Sequence, residues 1–213
     1  MLPLRDHEPS ERIPIVTIGL IVANASVFFL ELTSADLDAF ITTWALVPSH
    51  LSLIGFLTSQ FLHGGFAHIL FNMWYLWIFG DNVEGRFGHF PFLAFYLMSG
   101  IIAAGAELPM LLGSDIPMLG ASGAIAGVLG AYLALFPRNR IDALVPTFIG
   151  FWSRATLPAS IVLFFWFITQ IFSGTAAIVQ QATGGVAWWA HIGGFIFGWL
   201  VGKTLACPSK LRA

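Results

Sequence analysis

The sequence predicts an all-α polytopic membrane protein, a six-transmembrane-helix bundle with both termini in the cytoplasm. Three observations carry that prediction. Apolar side chains make up 57% of the 213 residues and charged ones only 9%, with a mean hydropathy of +0.83; a soluble domain carries about a quarter charged residues. Six apolar runs are each long enough to approach the ~20 residues that cross a bilayer. All nine Lys and Arg residues fall on one side of the membrane when six spans are counted.

The expected spans are about 13–32, 61–80, 90–112, 120–136, 157–179 and 186–206, forming a single membrane domain over 1–213. The first follows a polar N-terminus containing Asp6, Glu8 and Glu11, which lacks a basic, apolar, small-residue leader pattern, so this helix is expected to stay in the mature chain. Residues 33–60, with Trp44, Pro48 and His50, read as a folded interfacial loop, and 144–152 as a stretch lying along the interface. Arg5, Arg12, Arg86, Arg138, Arg140, Arg154, Lys203, Lys210 and Arg212 then share the side of both termini, which the positive-inside rule makes cytoplasmic. Cys207 beside the C-terminus is the single cysteine, so no internal disulfide holds the fold.

Ionisable residues inside spans are costly and point to function. Here they are His63, His68, Glu107 and His191, accompanied by Asn72, Gln170 and Ser122. Spans 2, 4 and 6 all descend from the outer face. At ~1.5 Å per residue, His68, Ser122 and His191 lie within roughly 10 Å of that surface. His68 and Asn72, four apart, share a helix face. His63, five before His68, is expected to face elsewhere, which argues against a histidine metal pair. Glu107 is expected to snorkel to the interface and Gln170 to make an interhelical hydrogen bond. The aromatic residues Phe71, Trp74, Trp77, Trp166, Trp188 and Trp189 are expected in packing and at the interface.

This inventory suits acyl transfer. A serine hydroxyl needs a base, which neutral His191 supplies for Ser122. Asn72, His68 and the Ser122 N–H are donors for an oxyanion. With no acidic residue placed to orient His191, the reading is a dyad. Gly120 and Gly123 flank the serine. A Gly194–Gly198 face meeting the Ala124–Gly127–Ala131 side of span 4 would bring His191 to Ser122, since small residues let membrane helices approach. Taken alone, Gly120-Ala121-Ser122-Gly123 also reads as a packing surface. A transporter would show inverted repeats and ionisable groups at the midplane, and neither is present in the sequence.

The ordered set His63-xxxx-His68-xxx-Asn72, Glu84-Gly85-Arg86, Gly120-Ala121-Ser122-Gly123 and Ala190-His191-xx-Gly194-xxx-Gly198 closely resembles the rhomboid intramembrane serine proteases of bacterial type. The resemblance implies a rhomboid-like bundle with Ser122 as nucleophile and His191 as base. It assigns His68, Asn72 and the Ser122 backbone to the oxyanion hole, and Gly194 and Gly198 to packing. It implies hydrolysis of peptide bonds in or near transmembrane segments of membrane-protein substrates. It calls for no cofactor, no metal and no nucleic acid, and it places the protein in a bacterial inner membrane with the site towards the outer face. Span 5 would gate lateral access, with Phe165 and Trp166 as candidate gate residues. The alternative within the resemblance is a non-proteolytic relative that binds client helices; such relatives typically lack the serine or the histidine. Two features depart from the family pattern: Trp44 is followed by Ala45 where some members carry Arg, and Ala126 stands where some carry a tyrosine packed on the histidine.

Overall fold

The computed structural model describes residues 1–8, 10, 12–146, 151–180 and 185–206. Cys207, Lys210, Arg212 and the interior of the 144–152 stretch, residues 147–150, lie outside the described residues. In chain order the elements are β1 (Leu2–Asp6), α1 (Ile15–Thr33), α2 (Leu37–Trp44), α3 (Gly55–Thr58), α4 (Phe66–Phe87), α5 (His89–Leu111), α6 (Ser122–Leu135), β2 (Arg140–Pro146), β3 (Trp152–Pro158), α7 (Ala159–Val179) and α8 (Trp188–Ala206), with one turn of 3-10 helix at Ser59–Phe61.

Helices α1, α5 and α7 are long and apolar enough to cross a membrane by themselves. The centre of the bundle is α6, whose 14 residues fall short of a full crossing. Its shortness has a physical reason. Nearly every residue from Gly123 to Ala134 is buried by neighbouring helices, and non-helical backbone is tolerated at membrane depth where protein covers it. The approach to α6 is covered in this way. Leu46 and Met118 exchange backbone hydrogen bonds of 3.1 and 2.8 Å, and the Gly120 N–H donates to the Ser59 carbonyl at 2.9 Å. The first residue of α6 is thereby set inside the protein.

Carboxylates stitch the helix ends together. Glu84, fully buried near the end of α4, accepts from the Val16 and Thr17 N–H groups at 2.9 and 2.7 Å and from the Thr17 hydroxyl at 2.7 Å. Those amides are donors that the first turn of α1 cannot satisfy itself. At the other end of α1, Glu31 accepts from the His63 N–H at 3.0 Å.

The all-helical expectation is corrected at one place. An antiparallel sheet in the order β1-β2-β3 joins the N-terminal strand to a hairpin between α6 and α7. The stretch expected to lie flat at the interface supplies strand ends instead. In β2, Ile141 and Ala143 are buried while Arg140 and Asp142 face outwards, a period of two that belongs to a strand. Asp6 of β1 accepts from the Tyr132 hydroxyl of α6 at 2.8 Å and from the Asn82 amide of α4, so the sheet is bonded to the bundle. Burial raises the Asp6 carboxyl from its ordinary 3.8 to about 6. Residues 33–60 fold as expected of a structured loop, as α2, α3 and the 3-10 turn.

Candidate active site

The site is built where α6 and α8 cross. A Cβ added to Gly194 would collide with the Gly123 carbonyl, and one added to Gly198 with the Gly127 carbonyl. Only glycine on this face lets the two backbones touch. Ser122 opens α6 and His191 stands in the first turn of α8. The crossing brings the Ser122 hydroxyl to 2.7 Å from the His191 Nε2, with the imidazole 8% exposed. Gly120 precedes this turn with φ +122°, and a side chain there would press within 2.8 Å of the His68 ring. Both the backbone conformation and the space require glycine at 120.

Three helices hold the imidazole. Its Nδ1 lies 2.8 Å from the Gln170 Oε1 of α7. The Trp166 ring, one turn earlier on α7, lies over it at 5.9 Å and 35°, and Trp188 meets it edge-on at 6.2 Å. Ala126, where some related sequences have tyrosine, is fully buried, and the aromatic cover comes from Trp166 instead. Glu107 does not snorkel. It is 6% exposed, and its Oε2 accepts from the Ala190 N–H at 2.8 Å, which makes it the cap of α8. The sequence hid this because the partner is a backbone amide 83 residues away.

His68 and Asn72 come from the first two turns of α4. The Gly64 N–H donates to the His68 Nδ1 at 3.3 Å, so Nδ1 is the acceptor and Nε2 carries the proton. That Nε2 points into the space beside Gly120 and Ser122. Asn72 is buried, and among the described residues its Nδ2 has no hydrogen-bond partner. The Ser122 N–H, at the first position of α6, has no carbonyl within the helix to bond. The His68 ring and the Ser122 N–H are thereby set beside the Ser122 hydroxyl, and Asn72 follows one turn after His68 on α4.

The expected divergence of His63 from His68 is corrected. His63 precedes α4, so helical spacing does not apply to it, and its ring meets that of His68 edge-to-face at 5.1 Å. A crevice of about 170 Å³ is lined by Met1, by Tyr75 of α4 and by Val162, Leu163, Phe165, Trp166 and Thr169 of α7. Phe165 and Trp166, singled out in the sequence as gate residues, both border it.

The family model for the rhomboid domain matches residues 50–207, a stretch that includes every side chain described at the site. The chain belongs to the rhomboid family. It is 33% identical over 175 residues to the mitochondrial rhomboid protein 1 of Saccharomyces cerevisiae, which covers 78% of this chain and 46% of that protein. The match to the rhomboid protease GluP of Bacillus subtilis is 34% over 152 residues, 71% of this chain and 26% of the relative. The match to the mouse presenilin-associated rhomboid-like protein, a mitochondrial protein, is 30% over 190 residues, 84% and 46%. This rhomboid chain thus spans less than half the length of the curated relatives it matches.

Proposed function

We propose that this rhomboid chain is an intramembrane serine endopeptidase that cleaves peptide bonds in or near transmembrane segments of membrane proteins. The observation that carries the reading is the 2.7 Å contact between the Ser122 hydroxyl and the His191 Nε2. A serine and an imidazole so placed suit the nucleophile and base of acyl transfer, and the His68 ring beside them offers an oxyanion donor.

In the proposed reaction the Ser122 Oγ attacks the scissile carbonyl carbon as its proton passes to the His191 Nε2. The oxyanion accepts hydrogen bonds from the His68 Nε2–H, the Asn72 amide and the Ser122 N–H. Collapse of this intermediate breaks the C–N bond, with His191 returning the proton to the leaving amine. Water then attacks the acyl-serine ester by the same proton relay, releasing the acid and restoring the hydroxyl. The substrate segment reaches the site laterally past α7 and must unwind locally, which glycine or proline near the cut makes easier.

The proposed topology has α1, α4, α5, α6, α7 and α8 as six crossings, both termini cytoplasmic and the start of α6 near the outer face of a bacterial inner membrane. It is supported by the one-sided distribution of Lys and Arg. The decisive test incubates purified protein in lipid with single-span substrates and compares wild type with Ser122→Ala and His191→Ala. Cleavage by wild type alone is the expected result. Cleavage by both variants would remove the dyad, and binding without cleavage by wild type across several substrates would make the protein a client-binding relative.

A further inference from the structure

The proposed dyad has a third member in contact with it that no acidic motif in the sequence announces. Gln170 is 6% exposed on α7, and its Oε1 stands 2.8 Å from the His191 Nδ1. Its amide nitrogen lies 3.1 Å from the Trp166 carbonyl and 3.2 Å from the Thr169 hydroxyl oxygen. The Thr169 hydroxyl hydrogen is itself given to the Trp166 carbonyl at 2.6 Å. Both neighbours of that nitrogen therefore accept hydrogen bonds. Turning the carboxamide over would set its oxygen against a carbonyl and leave two acceptors facing an acceptor.

The direction of the amide fixes the direction of the imidazole. With Oε1 facing His191, the Nδ1 must carry the hydrogen and donate it. The Nε2 is then left with its lone pair aimed at the Ser122 hydroxyl, the one tautomer in which His191 is a base for Ser122. We infer that Gln170 is the positioning residue of the site, selecting the Nδ1–H tautomer of His191 and holding its ring. This inference rests on the proposed proteolytic reading for its kinetic consequence but not for its structural one.

The choice of an amide suits the surroundings. A carboxylate buried at this position would have to be desolvated, at a cost of several kcal/mol for an ion away from water. Glutamine orients the ring by one neutral hydrogen bond and leaves the charge to the imidazolium formed during reaction. It also ties the ring to a helix other than its own. The buried stripe of α7 is narrow, made of Ala159, Val162, Leu163, Gln170 and Gly174, so the fit of that stripe decides whether Oε1 reaches Nδ1.

The test uses the full chain in micelles or nanodiscs, with wild type and Gln170→Met (similar length, no acceptor). Histidine 15N NMR at a pH where the ring is neutral reads the tautomer directly, whether or not a substrate is cut. Wild type should show the Nδ1–H form, and Gln170→Met a mixture. With a single-span substrate, Gln170→Met should lower kcat about 10- to 100-fold at unchanged KM. A wild-type ring protonated on Nε2, or a Met variant that keeps the wild-type tautomer and kcat, would overturn the inference. A raised KM at constant kcat would do so as well, since it would make Gln170 a substrate contact. If wild type shows the Nδ1–H form but cuts nothing, the orientation stands and the proteolytic reading falls.

Discussion

Replacing Glu107 tests whether a single carboxylate holds the helix that carries His191. Its Oε2 accepts from the Ala190 N–H at 2.8 Å, and the Trp189 N–H also points to it. Both amides belong to the first turn of α8, where no carbonyl precedes them in the helix. Loss of a capping side chain costs about 0.5–2 kcal/mol, and a buried amide left unbonded costs about 1–3 kcal/mol. Both figures describe the same lost bonds, so Glu107→Ala should destabilise by about 1–3 kcal/mol. Glu107→Gln keeps an acceptor oxygen and loses only the attraction of a negative charge for the helix N-terminus, about 0.3–1 kcal/mol. Unfolding in mixed micelles, followed by tryptophan fluorescence, measures both. Because His191 is the next residue after Ala190, the Ala variant should also lose kcat beyond its unfolded fraction. Equal and negligible effects of Ala and Gln, with kcat unchanged, would refute the capping argument and return Glu107 to the interface.

Two further outcomes follow from the packing and the sheet. Gly198→Ala puts a methyl group into the Gly127 carbonyl, so α6 and α8 must part; a loss of about 1–3 kcal/mol and a fall in kcat exceeding about 10-fold are expected. Gly19→Ala, inside α1 with nothing within 4 Å, should leave kcat unchanged and cost no stability, with a gain of up to about 1 kcal/mol from helix propensity, and serves as the control. Asp6 gives a pH dependence of defined sign. Its folded value, about 6, lies above the ordinary 3.8, so the folded state binds more protons, and the contribution to stability is full below 3.8 and lost as pH rises to about 6. The difference in thermal midpoint between wild type and Asp6→Asn, followed across this window, should shift towards the Asn variant as pH rises; a constant difference would count against the assignment.

The membrane helices and the Ser122–His191 meeting were legible in the sequence because both rest on local or one-dimensional signals. Hydropathy runs mark spans, and glycines four apart on α8 mark a face that must touch another backbone. That the His68 ring lies beside Gly120 and Ser122 follows from depth, since helices starting at one face place early residues in one layer. What stayed hidden depends on partners fixed only in three dimensions. Glu107 reads as a snorkelling carboxylate until a backbone amide of α8 is seen beside it. The cover of His191 was sought one turn into α6, where Ala126 stands, while Trp166 supplies it from α7. The sheet was missed because a seven-residue strand in an apolar chain gives a weak alternation, and its N-terminal partner β1 lies over a hundred residues away.

A division of labour explains why glycine and polar residues are distributed as they are. The proposed reacting pair needs a separation fixed to tenths of an ångström, and α6 and α8 set it through backbone contact at Gly123, Gly127, Gly194 and Gly198. Side chains that orient or donate come from helices outside that contact: His68 and Asn72 from α4, Glu107 from α5, Gln170 and Trp166 from α7. Each reaches in with one or two polar atoms. Such a site can keep its central distance while a peripheral helix gives way to a substrate, at the cost of whatever that helix was holding. For α7 the cost is specific. Its withdrawal would remove Gln170 from Nδ1 and Trp166 from the ring face, so the Ser122–His191 distance and the state of the imidazole are controlled by different contacts. A variant that loosens α7 without touching α6 or α8 should then alter the tautomer of His191 before it alters the crossing.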